Sequence, residues 1–285
     1  MTPAPDSRQR RLSRLGLQLF NEVILATLDL RPGDALDAVI LVAIAASSCG
    51  EGGGVSMNRV ADELGVSYET IRRRVVQLRK EGRCEAERGL VRPAPEPGTR
   101  DRRFCDRLLQ LTQTACEDAA GLELSSCDLA ADIAGAPREA VGRRVLAYFI
   151  STVQATREAY GVSVIDTVLL SGVLRVNEQR DALGRNRLSR LADLQSFDSR
   201  RPASAFQVAK SMGLPYETAR RRLIALEAKG LIHRHGPEGV VVRMDVDENP
   251  SLAILLVGNA ARTERLLADL AVLTCDVVRQ PAALP

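Results

Sequence analysis

The chain has 285 residues, enough for two ordinary domains that each bury a core, and its 45% hydrophobic and 26% charged residues exclude a disordered or fibrous chain. With no Trp and 3% aromatics, it lacks the platform for stacking single-stranded bases or for an aromatic ligand cage. The net charge of +3 is unevenly spread: residues 72–107 hold 12 Lys and Arg against 6 Asp and Glu, and residues 200–243 hold 9 against 3. Two patches of +6 therefore sit on a remainder of −9, the footprint expected of a nucleic-acid binder.

In chain order, the N-terminus is rich in arginine (Arg8, Arg10, Arg11, Arg14), but Asn21 and Glu22 follow, so no signal peptide is expected. A long amphipathic helix is predicted over about 10–30 and a strongly apolar one over 36–48. The longest uncharged apolar stretch, Ala38 to Gly50, has thirteen residues, too short for a bilayer span, and a cytoplasmic location is expected by default. The stretch Gly50-Glu51-Gly52-Gly53-Gly54 lacks the preceding strand and following Lys of a phosphate loop and reads as a linker.

Met57 to Leu64 places Val60, Ala61 and Leu64 on one helical face, and Gly65 suits a left-handed helix end. Ser67 can cap the next helix, with Glu69 in its first turn. That helix buries Ile71, Val75 and Leu78, which turns Arg73 outward with Glu69, Thr70 and Gln77, and sets Arg72 and Arg74 on either flank. After Gly82, Cys84 to Arg92 makes a poor strand pair. The six cysteines (49, 84, 105, 116, 127 and 275) include no C-x-x-C pair and read as small apolar residues. With only His233 and His235 available, neither a metal nor another cofactor is expected. Gly121 to Pro137 is the expected boundary between two domains, 1–124 and 125–285.

The second domain repeats the first. Residues 208–230 match 60–82 at 11 of 23 positions, including the block Y-E-T-x-R-R-R, at an offset of 148. Upstream, Phe149 to Asp166 aligns with Phe20 to Asp37 at an offset of 129, and helices are predicted over 138–159 and 163–176. The difference in offset places 19 additional residues within 177–203, read as a loop or a further basic arm. In this copy Ala219, Leu223 and Leu226 form the buried stripe, Pro215 sits at the helix start, and Leu231–His235 and Val240–Arg243 flank a Gly/Pro turn as a clear hairpin.

The pattern G-[VL]-[SP]-Y-E-T-x-R-R-R-x-x-x-L-x-x-x-G followed by a hairpin resembles the winged helix-turn-helix of bacterial transcriptional regulators of the GntR-like and MarR-like kinds, over about 45 residues in each copy (about 56–92 and 204–243). The resemblance implies a mainly α fold with small β-hairpin wings and a recognition helix in the major groove of double-stranded DNA. It implies a DNA-facing set of Ser67, Tyr68, Glu69, Thr70, Arg72 and Arg73, and of Pro215, Tyr216, Glu217, Thr218, Arg220 and Arg221 in the second copy. The flanking Arg74, Gln77 and Arg222 and the wing arginines Arg88, Arg92, Arg234 and Arg243 complete the expected interface.

The chain departs from those families in carrying two motifs and no recognisable effector domain, which argues against small-molecule sensing. The expectation is an intrachain pseudo-dimer acting as a sequence-specific regulator on two similar half-sites. A plasmid-type replication initiator and a protein-binding winged-helix scaffold are the alternatives. The apolar helices are expected as domain core or as the surface of a homodimer. No nucleophile–base set or paired carboxylates point to an enzyme.

Overall fold

The computed structural model describes residues 6–48, 53–124, 129–179, 201–243 and 250–279. Helices make up 74% of it and the sheets are small and antiparallel, so the chain is mainly α. The first half runs α1 (Ser7–Leu30), α2 (Ala35–Ser47), β1 (Val55–Ser56), α3 (Met57–Leu64), α4 (Tyr68–Lys80), β2 (Cys84–Glu87), β3 (Leu90–Pro93) and α5 (Thr99–Gly121). A short α6 (Leu129–Ile133) follows, then α7 (Arg138–Tyr160), α8 (Val164–Gln179), α9 (Ala205–Ser211), α10 (Tyr216–Ala228), β4 (Ile232–His235), β5 (Gly239–Val242) and α11 (Pro250–Arg279). Cys49, Gly50–Gly52, Cys127 and most of the inserted segment (180–200), for which the sequence carries expectations, lie outside the described residues.

Local chemistry accounts for the helix ends. Asp6 and Gln9 form a reciprocal capping box on α1, with Gln9 N donating to Asp6 Oδ1 at 2.7 Å. Ser56 caps α3 through the Arg59 amide, and Gly65 ends it in the left-handed region at φ 56°. A side chain at Gly65 would also collide with the guanidinium of Arg157 from α7, whose Nη1 donates to Glu63 O at 3.2 Å.

A helix that is apolar on every side must be covered on every side. α2 is such a helix: Ala38, Val39, Ile40, Val42, Ala43 and Ile44 are all essentially inaccessible. Its cover comes from both halves, because α2 packs on α1, α3 and α7, while α8 packs on α1, α7, α9 and α10. The long α11 lies along α1 and α7. One continuous hydrophobic cluster thus runs from Leu12 to Leu270 through both halves, where the sequence had suggested a separate core for each. The two apolar helices are spent inside this core, which leaves neither as an open face for a second copy.

At the centre, Phe20 and Phe149 stack with ring centroids 5.3 Å apart and planes inclined by 29°. They occupy equivalent positions in the repeat. Polar pairs cross the same core: Ser171 bonds Asn21 between α8 and α1, and Asn259 Nδ2 of α11 donates to Ser13 O at 2.8 Å. α1 comes so close to α11 that a Cβ at Gly16 would lie 2.0 Å from Thr263 Oγ1.

The first sheet has strand order β1-β3-β2, with Val55 opposite Val91 and Glu85 opposite Arg92. Its hairpin turns on two residues, Arg88 and Gly89, both with positive φ, the geometry that matches strand twist. The poorer strand pair in sequence is therefore the fuller sheet, because β1 supplies a third strand and the tight turn offsets weak β-formers. The second sheet pairs β4 with β5, and Ala203 bridges to Val240 where β1 would stand. Asn177, at the end of α8, bonds Arg201 O, Val240 O and the Val242 amide.

Because the aromatic pair spans both halves, Phe149→Ala should lower the unfolding free energy by about 3–5 kcal/mol in urea titration. Added to Phe20→Ala it should cost less than the sum of the two, and unfolding should remain a single transition.

Candidate nucleic-acid interface

α3 and α4, and likewise α9 and α10, meet across a short turn, so α4 and α10 each project their N-terminal turns from the body. On α4, Ile71, Val75 and Leu78 face the core; on α10, Ala219, Leu223 and Leu226 do. The opposite faces expose Tyr68, Glu69, Arg72 and Arg73, and Tyr216, Glu217, Thr218, Arg220 and Arg221. Ser67 caps α4, accepting from the Thr70 amide at 3.3 Å, and the two hydroxyls lie 2.8 Å apart with Thr70 half-buried. Pro215 opens α10 without a side-chain cap.

Each exposed glutamate grips arginine on its own helix. Arg72 donates to both Glu69 oxygens at 2.9 and 2.7 Å, and Arg220 to both Glu217 oxygens at 3.0 and 2.9 Å. Arg221 adds a third bond to Glu217 at 3.0 Å, whereas Arg73 is exposed and has no bonded partner among the described residues. The hydrogen bonds from Arg72 hold the Glu69 carboxyl below its usual range, and those from Arg220 and Arg221 bring Glu217 down to about 2. Both glutamates therefore stay ionised at any ordinary pH, as acceptors only.

The third arginine of each triplet does something else. Arg74 turns in to Asp34 and Asp37, reaching Asp37 Oδ1 at 3.2 Å, and Arg222 reaches Asp166 Oδ1 at 2.8 Å and Ser163 Oγ at 3.0 Å. Asp34 and Ser163 are equivalent cap residues, and Asp37 and Asp166 are equivalent residues one turn later. The sequence reading put Arg74 and Arg222 on the outward flank. In the structure they fasten α4 to the start of α2 and α10 to the start of α8.

A second fastening lies at the other end of each helix. Glu81 accepts from Arg31 at 2.7 Å in the first half, and Lys229 donates to Gly161 O at 2.7 Å in the second. Asp34, Asp37, Ser163 and Asp166 were not singled out from sequence. The signal for them was the recurrence of an aspartate at matching places together with the third arginine.

The remaining candidates separate by position. Gln77 is exposed but bonds Glu81 at 2.7 Å. Arg88 stands at the first hairpin tip with its side chain 91% exposed. Arg92 pairs across the strands with Glu85 at 2.6 Å, and Arg234 pairs with Glu227 at 2.7 Å. Arg243 lies beyond β5 at the base of the second hairpin, beside a partly open apolar pocket and away from the tip. Of the cysteines, Cys116 and Cys84 are buried, the latter with its thiol pushed up to about 11 by burial, and Cys105 is exposed. Among the described residues no group of three His, Cys, Asp or Glu side chains could hold a metal ion, and no single helix is long and apolar enough to cross a membrane.

No family model, curated protein or solved structure matches the chain.

The two anchoring aspartates differ electrostatically. Burial, then the neighbouring Asp34 carboxylate, raise Asp37 above the usual value against Arg74 and Arg31. Burial acts the same way on Asp166, but hydrogen bonds from Ser163 and Arg222 outweigh it and the value falls. A lowered carboxyl contributes stability above its unfolded value and loses it as pH falls through the folded one; a raised carboxyl contributes below the unfolded value and loses it as pH rises through the folded one. Acid should therefore loosen the second anchor and relieve the first. Carboxyl NMR should find Asp37 titrating above ordinary aspartate and Asp166 below it, with Asp34→Ser bringing Asp37 down.

Proposed function

We propose that the chain is a sequence-specific double-stranded-DNA-binding transcriptional regulator, built as an intrachain pseudo-dimer of two winged helix-turn-helix units. The observation that carries this reading is the repetition of one set (Tyr, Glu, Thr, Arg, Arg), exposed but for the half-buried Thr70, on the first two turns of α4 and α10, each helix braced by its third arginine. Such a helix suits a major groove. Arginine can bond guanine through two parallel N–H groups, an ionised glutamate can accept from cytosine N4, and the threonine methyl can meet thymine.

The helix–strand order α2-β1-α3-α4-β2-β3, with β3 between β1 and β2, supports the winged reading of the first unit. The second repeats it with a single bridge in place of β1. The stacking of the equivalent Phe20 and Phe149, and the packing of each unit's long helix on the other's apolar helix, support the pseudo-dimer. Equal recognition turns imply two similar half-sites, about 34–36 Å apart if the units dock as a helix-turn-helix dimer does.

Arg73→Ala and Arg221→Ala should each weaken binding to a selected duplex by about 1–3 kcal/mol, read by fluorescence anisotropy against salt. Arg74→Ala and Arg222→Ala should lower thermal stability instead. Footprinting should show two related half-sites. A single uninterrupted footprint, or no salt-dependent duplex binding at all, would overturn the proposal, the second outcome in favour of a protein-binding scaffold.

A further inference from the structure

Two apolar side chains on the projecting helices serve no packing purpose. Val76 of α4 and Ile224 of α10 are 42% and 47% exposed, occupy the same place in the repeat, and lie outside the hydrophobic core. With Tyr68 and Tyr216 they make up four of the eight large apolar side chains exposed among the described residues. One such residue on a surface needs no explanation. Two at one repeat position, on these two helices, do.

Helix formation does not account for them. Valine and isoleucine are stiff at Cβ and are poorer helix formers than the alanine, lysine or glutamine that an exposed position accepts. Common descent alone does not account for them either, because the copies differ close by. Gln77, Arg79 and Lys80 stand opposite Ala225, Glu227 and Ala228, while the position between them and the arginines stays β-branched and apolar.

At about 100° per residue, Val76 lies roughly 130° around α4 from the core stripe and shares the outward face with Arg73. Tyr68, Arg72 and Val76 form one i, i+4 ridge, repeated as Tyr216, Arg220 and Ile224. Glu69 and Glu217 sit on the N-terminal side, so their bonds draw Arg72, Arg220 and Arg221 away from the apolar side chain and leave it uncovered.

Charge decides what can cover it. Arg72, Arg73, Arg79 and Lys80 are the neighbours of Val76 one turn away in either direction. Arg220 and Arg221 flank Ile224, and the nearby Glu227 is paired with Arg234 at 2.7 Å. A protein contact draws on contiguous apolar area, whereas here arginine separates each apolar group from the next. The major groove of DNA offers the match: an anionic rim and, on its floor, the C5-methyl of thymine as an isolated apolar group.

We propose that Val76 and Ile224 read thymine, each packing on a C5-methyl group beside the base edge offered to Arg73 or Arg221. The inference rests on the DNA-binding reading and adds that each half-site carries thymine. Val76 stands three residues beyond Arg73, about 4.5 Å along the helix axis, against about 3.4 Å per base step. The thymine therefore belongs within about two base pairs of the one that the arginine contacts.

The test compares a duplex selected from a random pool with the same duplex made with deoxyuridine in place of thymidine, which removes only the methyl groups. The wild type should bind the uracil duplex about fourfold more weakly per half-site, the effect of burying one methyl group. Val76→Ala combined with Ile224→Ala should bind the two duplexes alike. Both positions are exposed and alanine favours a helix, so the fold should persist. Each single variant should keep the penalty at the other half-site. A selected half-site without thymine, equal affinity of the wild type for both duplexes, or a penalty that survives in the double variant would overturn the proposal and leave these side chains to a protein contact. Absence of salt-dependent duplex binding would instead overturn the DNA-binding reading, and this inference with it.

Discussion

The constraint on which the structure depends is that α2 has no polar side. Burying a helix of this kind needs neighbours all round it, and one copy of the repeat has too few. The second copy's α7 completes the cover, and α8 draws on α1 in return. From that exchange follow the aromatic stack of Phe20 on Phe149, the polar pairs across α1, and the path of α11 along both long helices. Duplication here does not set two finished units side by side; it supplies the partner that each half lacks.

The candidate interface inherits its rigidity from this body. α4 and α10 are each held near both ends, by Arg74 or Arg222 at the start of an apolar helix and by Glu81 or Lys229 at the preceding corner. The second fastening keeps its place while its chemistry changes, from a carboxylate receiving arginine to an ammonium donating to a carbonyl. What projects from the braced helices is correspondingly fixed in direction. The two projecting tips are unequal, since Arg221 is tied to Glu217 while Arg73 has no bonded partner among the described residues.

Much of this was legible in the sequence where the cause is local. Helix ends followed from Ser67, Gly65 and the spacing of Ile71, Val75 and Leu78, because caps and stripes act within a few residues. The role of Arg74 was not legible from its own helix: a helical wheel gives a direction, not what lies there, and Asp37 arrives from 37 positions away. The third strand of the first sheet is only two residues long, too short to carry an alternation. The joint core depends on contacts between halves that no periodicity records.

Asn177 has a consequence for how the repeat could diverge. Its side chain meets the backbone of Arg201 at 2.7 Å across 24 positions, and also holds β5. One side chain thus holds the end of α8, the start of the second helix-turn-helix segment and β5 together. Residues 177 and 201 stay in register with each other whatever length of sequence separates them. The 19 additional residues of the second copy therefore leave the elements that pack against the core where the first copy has them. The repeat can thus diverge in length between these two positions while the clasp keeps its geometry.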